Sequence, residues 1–565
     1  MLQHTGPISG VAAYSDCYVA TAGYDNQVIL WEKSTGKALA RSFHDHLANH
    51  VAFSPDGRHL VTSSSDYTAR LWSVPDLALR AVFADHEDDV EMSAFHPTRE
   101  IVATAARDFR VRLYSFAGAL LTTLEGHPAD VVTVEWASDD ELVSSSDDGT
   151  VKRWSLSAEA ALEDIDLGGD EQADAMTVTP SGTVYAGNDN GELIMVRGQG
   201  ATKLPAHRAG VKRLVYSAEQ DLLLSLSYDS TMKVWDVSGS TPTCLSETTL
   251  PVDVWPRSCA FSGTSDVVLG TFGTSYRTYS HVTGTWHDQH VEVTHGINGV
   301  CERGSELLTV GDSGQVRIDG GEVLAETGSL CNFLLPVGDA IITGGQLGTV
   351  MDAASGAAVV HRHAAPLNCA VAYELDGEQR AVVGSYSGEG LVFRWRNGSV
   401  EHVEDVRLHV SAIKGVAVSG TTLFSTSSDQ SIAWHDLRDF RELGRVSEAH
   451  QRVVNGCVAL GDGRFATVGR DLTLRIWDES GTSTAIQPPI ARSIRAIAAS
   501  SDGHVLALGS YDGHVAQYDA NAHTLLALDR PTAAGISAMI YSPHEKRFVA
   551  SSYDGRLYRI EAADR

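Results

Sequence analysis

The chain has 565 residues, 72 of them acidic and 43 basic, for a formal charge of −29. That balance repels phosphate backbones, so no nucleic acid is expected as a partner, and partners are sought among proteins and peptides. No run approaches the ~18 apolar residues of a membrane-spanning helix, and the seven cysteines are scattered with no CxxC pair, which fits free thiols in a reducing cytoplasm. The opening MLQHTGPISG has neither a basic start nor an apolar run, so no export signal is expected. Lys is scarce beside Arg (8 of the 43 basic residues), a usage that points to a high-GC, bacterial source.

From the N-terminus onward one phrase recurs. Aligned on a Trp or its replacement, the copies are anchored at Trp31, Trp72, Tyr114, Trp154, Val196, Trp235, Tyr279, Asp319, Ala353, Trp395, Trp434, Trp477, Tyr518 and Ile560, 34 to 44 residues apart. Each copy reads as four short strands. In the fourth, VVTVEW alternates, ELVSSS follows, Asp147-Asp148-Gly149 makes a turn, and TVKRWSL resumes. Turn signals such as SPDG at 54–57 and SDG at 501–503 sit between first and second strands. The acidic, Ala-rich stretch 156–175 reads as an exposed loop holding a fourth strand, with a short helix as the alternative. A period of about 40 residues built this way predicts one four-stranded propeller blade per repeat.

Six copies carry four polar anchors: His4–Thr21–Asp25–Trp31, His46–Thr62–Asp66–Trp72, His127–Ser144–Asp148–Trp154, His207–Ser225–Asp229–Trp235, His409–Ser425–Asp429–Trp434 and His450–Thr467–Asp471–Trp477. In a seventh, His86–Thr104–Asp108, Tyr114 replaces the Trp. The hydroxyl residue always stands four before the Asp, and the His 20 to 22 before it. With these motifs nearly the whole chain resembles the WD-repeat β-propeller family, in the tandem double-propeller layout of actin-interacting protein 1, though no actin-binding motif carries over. The resemblance implies that each set forms one buried hydrogen-bond chain across a blade. Ser, His and Asp recurring in tandem therefore read as struts, since a catalytic triad is a single constellation.

Fourteen blades exceed the usual 4–8 of one ring. The expected fold is all-β, two tandem seven-bladed propellers, divided as 1–290 and 291–565 with the junction in 281–296. The last repeat stops after its third strand; residues 1–3 are expected to complete that blade, or else to stay in the first ring beside its seventh.

Binding is expected on a face rimmed by loops. Residues just before the turn Asp (Tyr24, Arg107, Tyr228, Arg470, Tyr511, Tyr553) or just after it (Tyr67, Phe109) are types enriched in interface hot spots. Strand starts add Asp89, Glu91, Asp130, Lys212, Arg213 and Lys414 to that rim. The histidine groups His287, His290, His295 and His361, His363 (with Cys369 nearby) lack HExxH or CxxC spacing, so they read as loop or blade histidines, with no metal and no cofactor expected. The expected function is a non-catalytic scaffold or recognition subunit of a larger cytosolic, bacterial signalling or defence assembly. The rival is a small-molecule or metal-binding propeller enzyme or sensor using a central channel, with Glu91 and Glu135 as the candidate inner-strand acids.

Overall fold

The computed structural model describes residues 3–157, 160–167, 175–198, 200–287, 295–478 and 480–563. Among them the strands form thirteen four-stranded antiparallel sheets and one three-stranded sheet, beside one single-turn 3-10 helix, Ala353–Ser355. The chain falls into two compact units, Met1–Val293 and Thr294–Arg565. Blades 1 to 7 span 8–43, 48–83, 90–125, 131–166, 175–205, 211–249 and 254–287. Blades 8 to 14 span 297–326, 331–362, 367–407, 413–446, 454–486, 494–529 and 536–561. Strands a to d of each run outward from the centre of its ring.

Blade 2 shows how a repeat becomes a sheet. Strand a, Ala48–Phe53, turns at Ser54-Pro55-Asp56-Gly57 into strand b, His59–Ser64. The Ser54 hydroxyl donates to Asp56 at 2.6 Å, Asp56 accepts the Arg58 N–H at 3.0 Å, and Gly57 sits at φ 69°, where a side chain would be strained. Strand b is almost wholly buried while strand d, Leu79–Phe83, is mostly exposed. Inner strands are covered on both faces by neighbouring blades, so HLVTSS needs no polar alternation. Outer strands lie on the rim and alternate.

The core lies between blades. Ala20, Val28 and Leu30 of blade 1 pack on Val51, Leu60 and Trp72 of blade 2. In the first unit Ile8, Val11 and Ile29 pack on Val268 and Tyr276 of blade 7, closing that ring. In the second, Val300 and Leu307 of blade 8 meet Val549 of blade 14. The contacts are tight: a Cβ at Gly299 of blade 8 would stand 2.9 Å from the Phe333 Cα of blade 9.

Blade 14 has no fourth strand among the described residues. His4, the residue just after the segment 1–3, lies in the first unit beside blade 7: its N–H donates to Thr274 O at 2.9 Å and the Thr274 N–H to His4 O at 3.1 Å. Met1 and Leu2 lie outside the described residues. Closure of the second ring rests on inner-strand packing. The copies at Val196, Tyr279, Asp319 and Ala353, poor in polar anchors, still build four-stranded sheets, because their inner strands keep the apolar pattern. Within 156–175 the described part is strand d, Ala160–Asp166.

Candidate protein-interaction faces and their struts

The struts come first because they hold the faces. In blade 1 the Trp31 indole N–H donates to the Thr21 hydroxyl at 2.8 Å, His4 Nε2 meets that hydroxyl at 2.8 Å, and His4 Nδ1 meets Asp25 at 2.9 Å. Blades 4 and 12 repeat this with Trp154–Ser144–His127–Asp148 and Trp477–Thr467–His450–Asp471. An ionised carboxylate only accepts, so Nδ1 carries the imidazole proton and Nε2 accepts from the hydroxyl. Burial pushes the Asp66 and Asp148 carboxyls up, but the hydrogen bonds of His44 and His127 and of backbone N–H groups prevail. Asp148 falls to about 2 and Asp66 lower still.

Two sequence assignments are corrected. In blade 2 the ring in the chain is His44, not His46: His44 Nε2 lies 2.6 Å from the Thr62 hydroxyl and Nδ1 3.0 Å from Asp66. The strut histidine stands four residues before strand a, as His4, His86, His127, His207, His409 and His450 do, and His46 stands two before it. The following residue then points its N–H at the turn Asp, as Asp45 does to Asp66 at 2.8 Å. In blade 11, Trp434 is not a member. His435, not Trp434, lies opposite Leu423 and takes the indole's place. The Trp434 N–H finds no acceptor, and its ring packs on Phe424 and Trp477. His409 still reaches Ser425 at 2.9 Å, but it reaches Asp429 through the Ser431 hydroxyl. His207 similarly bonds Thr231 at 2.9 Å, with Asp229 at 3.4 Å. In blade 3 an Arg112 guanidinium bridges His86 at 3.0 Å and Asp108 at 2.6 Å, and burial with that charge lowers His86 to about 3.

A second device was invisible in the sequence. In most blades the second residue of strand a sits in a β-bulge, unpaired by strand b and free to reach sideways. Asn49 donates to Val90 O at 3.0 Å, Asn332 to Leu367 O at 2.8 Å, Asn368 to Ile413 O at 2.9 Å and Asn455 to Ile494 O at 2.8 Å. Ser537 donates to Ile297 O across the ring closure. Each bond stitches an inner strand to the next blade.

Where the bulge residue is charged, it becomes part of a face, paired with a residue of a b–c turn. Glu91 pairs with Arg107, which also reaches Asp130 at 3.4 Å. Burial, against Arg107, raises Asp130 to about 6. Lys212 pairs with Asp189 and lies 5.0 Å from the Tyr228 ring. Lys414 lies 4.3 Å over Tyr386. Arg495 interacts with Tyr511 and Tyr553, whose rings stack at 6.2 Å. Beside them burial raises Asp312 to about 7.

Of the expected rim residues, Tyr24, Arg107, Tyr228, Arg470, Tyr511 and Tyr553 are half-buried, not loose on turn tips. Tyr24 packs edge-on against Trp255 at 5.1 Å. Tyr67 and Phe109 occupy positive-φ turn positions, and Phe109 is 45% exposed. Two of the strand-start residues, Asp89 and Arg213, lie elsewhere, and the candidate channel acid Glu135 is likewise engaged within the fold. Asp89 is buried, its carbonyl accepting the Arg107 N–H at 2.9 Å. Arg213 turns inward, with Nη2 3.4 Å from His50, and Glu135 is held by the Thr177 hydroxyl at 2.9 Å and the Val178 N–H at 3.1 Å. The sequence could not show the last two, since the partners of Arg213 and Glu135 are contributed by other blades.

The second ring surrounds an open cavity of about 880 Å³ lined by the bulge residues Asn298, Asn332, Asn368, Lys414, Arg495 and Ser537 together with Cys301, Cys369 and Cys457. Burial pushes the Cys301 and Cys369 thiols up to about 12, so they stay protonated and unreactive at neutral pH. His363 stands four before strand a of blade 10 and bonds Glu389 at 3.0 Å, a blade histidine as expected. His290 lies outside the described residues. Among the described residues no helix is long and apolar enough to cross a membrane.

Five segments match the family described as WD domain, G-beta repeat: residues 37–73, 78–115, 118–155, 198–236 and 441–478. The first three begin in or just before the outer strand of one blade and end in strand c of the next, so repeat and blade are offset by one strand. The chain is similar to the transcriptional corepressor LEUNIG_HOMOLOG of Arabidopsis thaliana, 24% identical over 269 residues, covering 40% of this chain and 34% of that protein. It is similar to the target of rapamycin complex subunit wat1 of Schizosaccharomyces pombe, 25% identical over 232 residues, covering 38% of this chain and 73% of that protein. It is also similar to WD repeat-containing protein 37 of Mus musculus, 34% identical over 103 residues, covering 18% of this chain and 21% of that protein. Two of these three relatives are thus matched over about a third of their length or less. The matched WD40 repeats, the struts that carry them and these relatives together support a WD-repeat family for this chain.

Proposed function

We propose that this chain is a tandem double propeller that serves as a protein-interaction scaffold or recognition subunit without catalysis of its own. Its partners are proteins or peptides that dock on the faces where strand b meets the turn Asp. The observation that carries this reading is the repeated pairing of a charged bulge residue with an aromatic or Arg side chain from the turn just after strand b. Rigid, pre-packed anchors lose little entropy on binding. The relatives' names, a corepressor and a complex subunit, are in keeping with work inside assemblies. Of the acids a channel enzyme would use, Glu91 is paired with Arg107 of its own blade and Glu135 is held by Thr177 and Val178 of the next, which weighs against the channel reading. A cytosolic, bacterial signalling or defence assembly remains part of the proposal, carried by residue usage and free thiols alone.

The test is affinity capture from the native source with identification of what co-purifies, comparing wild type with Tyr24→Ala plus Arg470→Ala. The reading expects loss of at least one stoichiometric partner with the melting profile retained. Full retention of every partner would show the chosen face to be wrong. Turnover of any substrate abolished by Glu91→Gln would replace it with the enzyme reading.

A further inference from the structure

One histidine pair lies outside every strut. His361 is on strand d of blade 9 (Ala358–Arg362), opposite Val350; His402 and Asp405 are on strand d of blade 10 (Ser399–Arg407), opposite Phe393 and Leu391. These rim strands are neighbours, and strut duty in blade 10 already belongs to His363, so the blade motif gives His361 and His402 nothing to do. The two imidazoles stack at 3.8 Å with 13° between their planes, each against the edge of Phe393. His402 Nε2 lies 2.7 Å from Asp405 Oδ1. One donor atom from each of the three residues lies within 4.8 Å of the others.

We propose that His361, His402 and Asp405 form a zinc-type divalent metal site that clasps the outer strands of blades 9 and 10. This departs from the sequence expectation, which grouped His361 with His363 and assigned no metal. Two imidazole nitrogens and a carboxylate oxygen are a ligand set that Zn²⁺ takes readily, leaving a fourth tetrahedral position for water or a partner's side chain. Metal–ligand bonds of about 2.0–2.2 Å place tetrahedral donors roughly 3.3 Å apart. Bringing the donors onto one ion takes rotation of the two half-buried imidazoles out of their stack and of the exposed Asp405 side chain. Unlike a structural cage, the site is open on one side, so it can also fasten a partner.

The test is calorimetric titration of ZnCl₂ into chelator-stripped full-length protein, with a melting curve at each endpoint. One saturable equivalent is expected, together with a rise in the melting temperature of the second unit. His361→Ala and His402→Ala should each weaken that binding at least about tenfold, Asp405→Asn should weaken it less, and the exposed control His544→Ala should leave it unchanged. All four positions are at the surface or partly so, and retained zinc-free melting curves will certify folding. Unchanged binding in the His361→Ala, His402→Ala double variant overturns the site, as does wild-type protein giving no saturable heat.

Discussion

His44→Ala and His46→Ala separate two readings of one repeat. His44 is buried and makes two strut hydrogen bonds, one to a hydroxyl and one to the depressed Asp66 carboxylate. Removing it deletes a neutral bond of about 1 kcal/mol and a charged one of about 1.5–3 kcal/mol, and leaves a buried acceptor short of a donor. A loss of about 3 kcal/mol follows. At about 2–4 °C per kcal/mol for units of this size, the first unit should melt roughly 6–12 °C earlier. His46 is buried but lies outside the Thr62–His44–Asp66 chain, so His46→Ala should cost less than His44→Ala. Differential scanning calorimetry reads both, with hydrogen exchange at blade 2 amides assigning the transition to the first unit. A larger shift for His46→Ala, or equal shifts, would refute the assignment of the strut.

Further outcomes follow from the same geometry. Trp477→Phe breaks the indole bond to Thr467 and should cost about 1–2 kcal/mol beyond packing, whereas Trp434→Phe deletes an N–H without an acceptor and should cost only the lost packing by urea denaturation. Asn368→Ala leaves the Ile413 carbonyl unstitched; a loss of about 1–3 kcal/mol confined to the second unit is expected. Acid should destabilise the first unit in two stages. His86 is held neutral in the fold at a lowered pKa, so the unfolded chain takes up its proton first and stability falls as pH drops from about 6.5 toward about 3. Asp148, depressed to about 2, adds stability above the ordinary carboxylate pKa that is lost between about 4 and 2. Melting temperatures at stepped pH test both signs; stability flat from pH 7 to 3 would contradict them.

Much of this protein was legible from spacing. The regular repeat, with hydroxyl, Asp and Trp at constant offsets, determines the blade, because those groups lie within one hairpin and must satisfy one another once buried. The choice between His44 and His46 escaped, since the spacing window from His to turn Asp admits both. Distance to the first apolar residue of strand a would have resolved it. Trp434 misled because the letter was aligned and not the offset from Asp429, which leads to His435. Tertiary structure alone decided the inter-blade stitches, the inward turn of Arg213, the half-burial of the rim residues and the meeting of His361 with His402. Each depends on groups that stand a full repeat or more apart in the chain, and no local periodicity encodes a contact made only when neighbouring blades pack.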